Sequence, residues 1–185
     1  MLCERSIWQM KLALCGHRLE NLPFPMDSES YSMLELALWK TISKYMDSGY
    51  ETFICSATQG MGIVMGEIVA AIKGSGVSGT KLNCVIPFRE QARKGDDVWR
   101  LRYRYLLHDA DRIIQVCDNY QRGCYQKQSR TVVDACDALL AVYDEKDKGR
   151  TAYAVQYALK HGKPVEIINP YNSIVEEQEQ KPYYR

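Results

Sequence analysis

The sequence has almost no excess of charge of either sign, since 24 lysine and arginine residues face 23 aspartate and glutamate residues, for a formal net charge of +1. Affinity for nucleic acid comes largely from neutralising phosphates, so this balance argues against single-stranded DNA and other nucleic acids as partners. The chain also lacks any run near the ~20 apolar residues that a membrane span needs, and its first ten residues lack the apolar centre of a signal peptide. We therefore expect a soluble, cytoplasmic protein with no membrane partner.

Residues that could hold a metal ion are also scarce. The chain has three histidines, and none of its seven cysteines forms a C-x-x-C pair, so no zinc-ligand spacing can be assembled. An odd number of cysteines, most of them in or beside apolar runs, is typical of a reduced intracellular protein whose thiols pack as small apolar groups. We expect no metal and no required cofactor.

What the sequence does contain is a regular alternation of short apolar segments and amphipathic segments. The apolar segments predict six strands, at residues 11–15, 52–55, 82–86, 112–117, 138–143 and 164–168. Between them the pattern predicts five helices, at 31–47 with Ser30 as N-cap, from Gly60 and Gly62 through 71, and at 97–108, 126–135 and 151–160. Strands that are apolar on nearly every residue are covered on both faces. The prediction is therefore a doubly wound, Rossmann-like, three-layer α/β sandwich with a mainly parallel sheet of about six strands.

A single domain accounts for all of these elements. We assign residues 1–10 to an N-terminal extension, 11–170 to one Rossmann-like domain, and 171–185 to a polar C-terminal tail. A homo-oligomer is compatible with this organisation.

The residues that directly follow the strands are the candidates for a binding site, because ligands of open parallel sheets bind outside the carboxyl ends of the strands. After the first strand come Gly16, His17 and Arg18. The glycine permits close backbone approach, and the two side chains are donors suited to phosphate or carboxylate. An ordinary turn with solvated side chains is the alternative interpretation.

Two further turns are rich in glycine and lead into helices. The ligand-binding candidates in these turns are Ser56, Gln59, Gly60 and Gly62 after the second strand, and Gly149, Arg150 and Thr151 after the fifth. The free N–H groups and the dipole of a helix start favour an anion, although neither turn is a G-x-G-x-x-G or Walker loop. Arg130 is a further candidate, for which a surface ion pair with Asp134 four residues away is the alternative.

Catalytic residues are harder to assign from the sequence. Glu67, in the helix after the second strand, and Asp144, directly after the fifth strand, are the carboxylates placed to serve as a general acid or base. An ordinary solvated carboxylate explains each position equally well. No complete catalytic set is recognisable, so whether the protein is an enzyme stays open.

Several longer motifs occur in a specific order along the chain: GHRLENLPF at 16–24, IPFREQ at 86–91, YQRGC at 120–124, VVDACDALLAVYD at 132–144 and GRTAYAVQYA at 149–158. Together they resemble the YpsA-type branch of the bacterial SLOG superfamily, whose wider relatives include DprA and the LOG phosphoribohydrolases. The resemblance implies a Rossmann-like domain that binds a nucleotide or a nucleotide derivative, such as an ADP-ribose-like or NAD-like molecule. It implies no settled reaction.

The chain departs from the family pattern at three positions. Gly62 stands where the family usually has an acidic residue, Gln128 begins the segment that commonly reads R-N-R, and Arg150 replaces the second glycine of G-G-T. Ala154 stands where the LOG enzymes carry their catalytic glutamate, so their hydrolase activity is not carried over. We expect a nucleotide-binding or sensing domain. The alternatives are an N-glycosidic hydrolase or transferase that uses Glu67 or Asp144, and DprA-like binding of single-stranded DNA.

Overall fold

Strands and helices alternate strictly along the part of the chain that the computed structural model describes, residues 9–76, 79–146 and 148–171. The elements are β1 (Met10–Gly16), α1 (Glu29–Asp47), β2 (Tyr50–Ser56), α2 (Met61–Gly74), β3 (Lys81–Phe88), α3 (Asp97–Asp109), β4 (Arg112–Cys117), α4 (Cys124–Asp134), β5 (Ala138–Val142), α5 (Arg150–Lys160) and β6 (Val165–Ile168). Short 3-10 turns at Leu19–Asn21 and Gln91–Lys94 follow β1 and β3. The predicted alternation of six strands and five helices is confirmed.

The six strands form one parallel sheet in the order β4-β3-β2-β1-β5-β6. The chain therefore builds the sheet outward from β1 to β4 and then returns to place β5 on the other side of β1. Between β1 and β5 the direction of winding reverses, and such a switch point is where open α/β sheets bind their ligands. The predicted parallel sheet is confirmed.

Each face of the sheet is covered by its own group of helices, which explains the nearly continuous apolar strands. Leu12 and Leu14 of β1 point into the core beneath α1, α2 and α3. Ala13 and Cys15, the alternate residues, point into the core beneath α4 and α5. All five residues of β5 are buried for the same reason. The predicted doubly wound, three-layer sandwich is thus confirmed.

The start of α1 differs from the predicted one. The N-cap is Ser28, whose Oγ accepts a hydrogen bond from the N–H of Tyr31 at 3.1 Å, whereas Ser30 lies inside the helix. Both serines can cap in principle, but capping by Ser28 puts Glu29 in the first turn, where a negative charge interacts favourably with the helix dipole. The prediction of Ser30 as the cap was wrong by two residues.

The predicted extension at 1–10 and tail at 171–185 fall outside the described residues, apart from residues 9, 10 and 171. Met10 already belongs to β1. Of the helices described, none combines the length and the apolar character needed to cross a bilayer.

Candidate functional site

A cleft of about 270 Å³ opens at the switch point between β1 and β5. We call it the inner cleft. It is lined from the turn after β1, the end of β2, the inward face of α4 and the start of α5. Seven of the predicted ligand-binding residues meet there: Gly16, His17, Arg18, Ser56, Gly149, Arg150 and Thr151. Among the described residues that line it, none carries a carboxylate.

The turn after β1 is fixed against two neighbouring elements. A Cβ on Gly16 would lie 2.7 Å from the Cβ of Met61 and 3.0 Å from the Cβ of Val142, so only glycine allows this approach. The backbone of His17 bonds on both sides: its N–H donates to the carbonyl of Val142 at 3.0 Å, and its carbonyl accepts from Met61 N–H at 2.8 Å. The position of Arg18 is therefore set by β5 and α2 together.

His17 joins the turns after β1 and β5, although it lies 127 residues from Asp144 in sequence. Its imidazole is buried, with Nε2 at 3.0 Å from Oδ1 of Asp144 and 2.9 Å from the backbone N of Asp144. One nitrogen cannot donate and accept at once. A neutral Nε2 accepts from the backbone N–H, and a protonated Nε2 donates to the carboxylate. The candidate catalytic residue Asp144 therefore lies beside the cleft, in contact with a histidine that lines it.

The two glycines of the turn after β2 are packed closely against the backbone of neighbouring residues. A Cβ on Gly60 would lie 2.6 Å from the carbonyl oxygen of His17, and a Cβ on Gly62 would lie 2.6 Å from the carbonyl oxygen of Ser56. The first N–H of α2, from Met61, is already bonded to His17. Gly60 and Gly62, both predicted to bind ligand, are buried and serve close packing, whereas Ser56 lines the inner cleft.

The start of α5 points into the inner cleft. Gly149 is the N-cap and the helix begins at Arg150, one residue earlier than predicted, so Thr151 is a buried residue of the first turn. The first N–H groups of an α-helix have no acceptor within the helix, and they carry the positive end of its dipole. This part of the cleft is suited to an anion.

A second, smaller cleft of about 150 Å³, which we call the outer cleft, adjoins the first. The two clefts share Arg18, Thr58 and Arg150. The Arg150 guanidinium lies 4.7 Å from the ring centroid of Tyr125. Burial, and then the nearby charge of Arg18, lower the pKa of Arg150 below its ordinary value. Two arginine side chains therefore belong to the lining of both clefts.

The remaining residues of the outer cleft are Gln59, Gln91, Lys94, Gly95, Trp99 and Tyr125. Of these, sequence reasoning had selected only Gln59. Gln91 lies in the IPFREQ motif, and its Nε2 donates to the carbonyl of Ala57 at 2.5 Å. Its place in a family-like motif directly after β3 is a signal that could have identified it.

Comparison with known proteins decides the family. The model of the family described as the YspA SLOG family (YpsA) matches residues 12–173. This chain belongs to the YpsA SLOG family. Among its relatives are UPF0398 proteins of Bacillus cereus strain G9842, Bacillus anthracis strain A0248 and Bacillus thuringiensis strain Al Hakam. Each is 27% identical over 154 residues, which cover 82% of this chain and 83% of the relative.

Besides Gly60 and Gly62, which line neither cleft, two predicted residues with charged side chains lie away from both clefts of this SLOG domain. Glu67 faces α3 and is held by Arg102, whose Nε and Nη2 contact the two carboxylate oxygens at 2.8 Å and 2.5 Å. Arg130 is exposed on the outer side of α4, where its Nε donates to the hydroxyl of Tyr153 at 2.6 Å. The helical period explains the position of Arg130. Gln128 and Val132 of α4 are buried, and Arg130, two residues from each, lies on the opposite face of the helix.

The three departures of this SLOG domain from its family pattern have distinct surroundings. Gly62 has no space for a side chain without movement of Ser56. Gln128 is buried and donates through Nε2 to the carbonyl of Val85 at 2.6 Å. Arg150 is the one of the three that brings a charge to the clefts.

The site offers few groups for metal binding or nucleophilic chemistry among the residues described. In the described parts of the SLOG domain, no group of three histidine, cysteine or carboxylate residues is placed to hold a metal ion. Cys15 lines the inner cleft, and burial raises the pKa of its thiol to about 12. The thiol is thus protonated at neutral pH and is a poor nucleophile.

Proposed function

We propose that this SLOG domain binds a nucleotide or a nucleotide derivative of the ADP-ribose or NAD kind, and that it acts as a binding or sensing domain. The observation that carries the proposal is the inner cleft itself. The start of α5, the glycine turn at Gly16 and the guanidinium groups of Arg18 and Arg150 all face one cleft at the switch point of the sheet. Membership of the YpsA SLOG family supports a nucleotide-related domain in general terms.

The lining of the inner cleft matches the parts of a nucleotide. The N–H groups at the start of α5 and the hydroxyl of Thr151 suit a phosphate. Asn21 and Ser129 add neutral polar groups of the kind that bind ribose hydroxyls. A mixed polar and apolar wall of this type orients a ligand without reacting with it.

Binding without turnover is favoured by the state of the candidate catalytic groups. Glu67 is paired with Arg102 away from the cleft, and Cys15 is a protonated thiol. Of the two candidate carboxylates, Asp144 is the one near the ligand site, where it contacts His17. General acid–base catalysis needs such a group within hydrogen-bond reach of the reacting atom, or one water away.

Calorimetric titration tests the proposal directly. The pure protein is titrated with AMP, ADP-ribose, NAD and a cyclic dinucleotide, and at least one is expected to bind. Thr151→Val, which removes the hydroxyl at the start of α5, is expected to weaken that binding about tenfold, since loss of one hydrogen bond to a charged group costs about 1.5 kcal/mol or more. Arg130→Gln, outside the clefts, is the control and is expected to bind as the wild type does. No heat with any of these ligands, from folded protein, refutes the proposal.

The contact between His17 and Asp144 favours one second candidate, an N-glycosidic hydrolase or transferase in which Asp144 acts on a nucleoside or nucleotide through the histidine. Incubation with nucleoside monophosphates and NAD, followed by chromatography for the released base, tests this activity. Release by the wild type that is lost in Asp144→Asn supports catalysis. No release after long incubation rejects it and leaves binding as the function.

A further inference from the structure

The outer cleft is cationic and has no assigned role. Of the described residues that line it, Arg18, Lys94 and Arg150 carry positive charge and none carries a carboxylate. The amides of Gln59 and Gln91 and the hydroxyl of Thr58 add hydrogen-bond donors on the same wall. Phosphate oxygens are the groups that such a set of charged and neutral donors recognises.

The residues that carry and surround the positive charges of the outer cleft are held in place by packing and hydrogen bonds. A Cβ on Gly95 would lie 2.0 Å from the ring of the buried Trp99, so this ring sits directly on the loop that carries Gln91 and Lys94. The side chain of Gln91 is tied to the carbonyl of Ala57 next to β2. On the opposite side, the ring of Tyr125 supports the guanidinium of Arg150. The cleft is therefore preformed from five separate segments of the chain.

The two shared arginines lack a full compensating charge among the residues described. Both arginines line both clefts, and burial, followed by the charge of Arg18, lowers the pKa of Arg150, as expected for two positive groups on one wall. Glu20 pairs with Arg18 at 2.8 Å, but both side chains of that pair are more than half exposed, so water screens it. An anion between the arginines would relieve the repulsion on both sides of the wall.

We propose that the outer cleft binds a second phosphate, so that the ligand of this chain is a nucleotide with a diphosphate, either free or esterified to a further group. One phosphate lies at the start of α5 in the inner cleft, and the next reaches Arg18, Lys94 and Arg150 across the shared wall. This inference rests on the nucleotide binding proposed for the inner cleft. Arg150, a departure from the family pattern, gives the chain a group that contacts both phosphates.

The test measures the ratio of affinities for ADP and AMP by calorimetric titration. In the wild type, ADP is expected to bind about ten times more tightly than AMP or better, since each charge-assisted hydrogen bond contributes about that factor. Lys94→Gln is expected to reduce this ratio about tenfold, and a rise in salt is expected to reduce it further. ADP-ribose is titrated alongside, because tighter binding than ADP identifies an esterified diphosphate and weaker binding a free one.

Arg93→Gln is the matched control, because Arg93 is the exposed neighbour of Lys94 and does not line the outer cleft. It is expected to keep the wild-type ratio, and thermal unfolding of both variants confirms that they are folded. Equal affinities for AMP and ADP in the wild type, or an unchanged ratio in Lys94→Gln, overturn the second-phosphate site but leave nucleotide binding in place. Absence of binding by AMP, ADP and ADP-ribose alike overturns both proposals.

Discussion

Replacement of Gly60 by alanine should destabilise the protein and weaken ligand binding at the same time. Gly60 has φ of 140° and ψ of −166°, a backbone conformation that is open essentially only to glycine. A Cβ there would lie 2.6 Å from the carbonyl oxygen of His17 and 3.1 Å from the Cα of Arg18. The conformational strain costs about 1–3 kcal/mol and the steric overlap about 1–3 kcal/mol more, so we expect the free energy of unfolding to fall by about 2–4 kcal/mol after partial relaxation.

Urea unfolding followed by circular dichroism measures this loss of stability. Gly49→Ala is the comparison variant, because it introduces conformational strain without steric overlap. Gly49 also has a positive φ, of 93°, but a Cβ built on it meets no atom within 4 Å. Gly49→Ala therefore carries the conformational cost alone, about 1–2 kcal/mol. Gly60→Ala is expected to lose more stability than Gly49→Ala, because Gly60 adds the contact with the turn after β1 to its conformational cost.

Relaxation of that contact must displace the turn that carries His17 and Arg18. We therefore expect Gly60→Ala to weaken nucleotide binding in the calorimetric titration, whereas Gly49→Ala, beyond the far end of α1, binds as the wild type does. Equal destabilisation by the two substitutions, together with unchanged binding, would show that the backbone of α2 does not position Arg18.

Three further predictions concern stability and its pH dependence. Gln128→Leu removes one of the two donors to the carbonyl of Val85, which keeps its hydrogen bond from the N–H of Ala57, and we expect the free energy of unfolding to fall by about 1 kcal/mol in urea titrations. Glu67→Gln breaks a partly exposed ion pair outside the clefts, so a loss near 1 kcal/mol with unchanged nucleotide affinity is expected; a loss of affinity would return Glu67 to the site. Burial raises the pKa of Cys15 from 9.0 to about 12 and that of Cys136 from 9.0 to about 11. Because the folded state holds these protons more tightly than the unfolded state, stability should be full below about pH 9 and fall through about pH 11 to 12, and the fall should be smaller in Cys15→Ala.

The fold was predictable because its strands carry a strong local signal. Residues 138–142 are apolar throughout, and a strand of this kind is buried on both faces wherever it lies in the sheet. The order of the strands was not predictable in the same way. RIIQVC at 112–117 is apolar enough for a central strand, yet β4 is an edge strand with Ile113 48% exposed. Strand order depends on long-range pairing, which local composition does not record.

The residues of the candidate site also differ in how far the sequence predicts their position. Residues in the turns directly after β1 and β5 meet in the inner cleft, because the position of a strand end is fixed by the sheet. Residues on helices were less predictable, since the face that a helix turns toward the cleft depends on its neighbours. Packing of α2 on α3 takes Glu67 to Arg102, and packing of α4 beside α5 takes Arg130 to Tyr153. Apart from its charge, nothing in the sequence indicated that Lys94 belongs to the site.

The pairing of β1 with β5 has a consequence for the order in which the protein assembles on a ribosome. Leu12 pairs with Ala138, so one edge of β1 has no partner until residues 138–142 have left the exit tunnel. Until then β1 to β4 can form a four-stranded sheet whose open edge is the most apolar strand of the nascent chain, a surface prone to wrong pairing. Arrival of β5 closes that edge, and the start of α5, which follows β5 in the chain, then completes the inner cleft. A nascent chain therefore cannot complete its ligand site before this edge of β1 is paired.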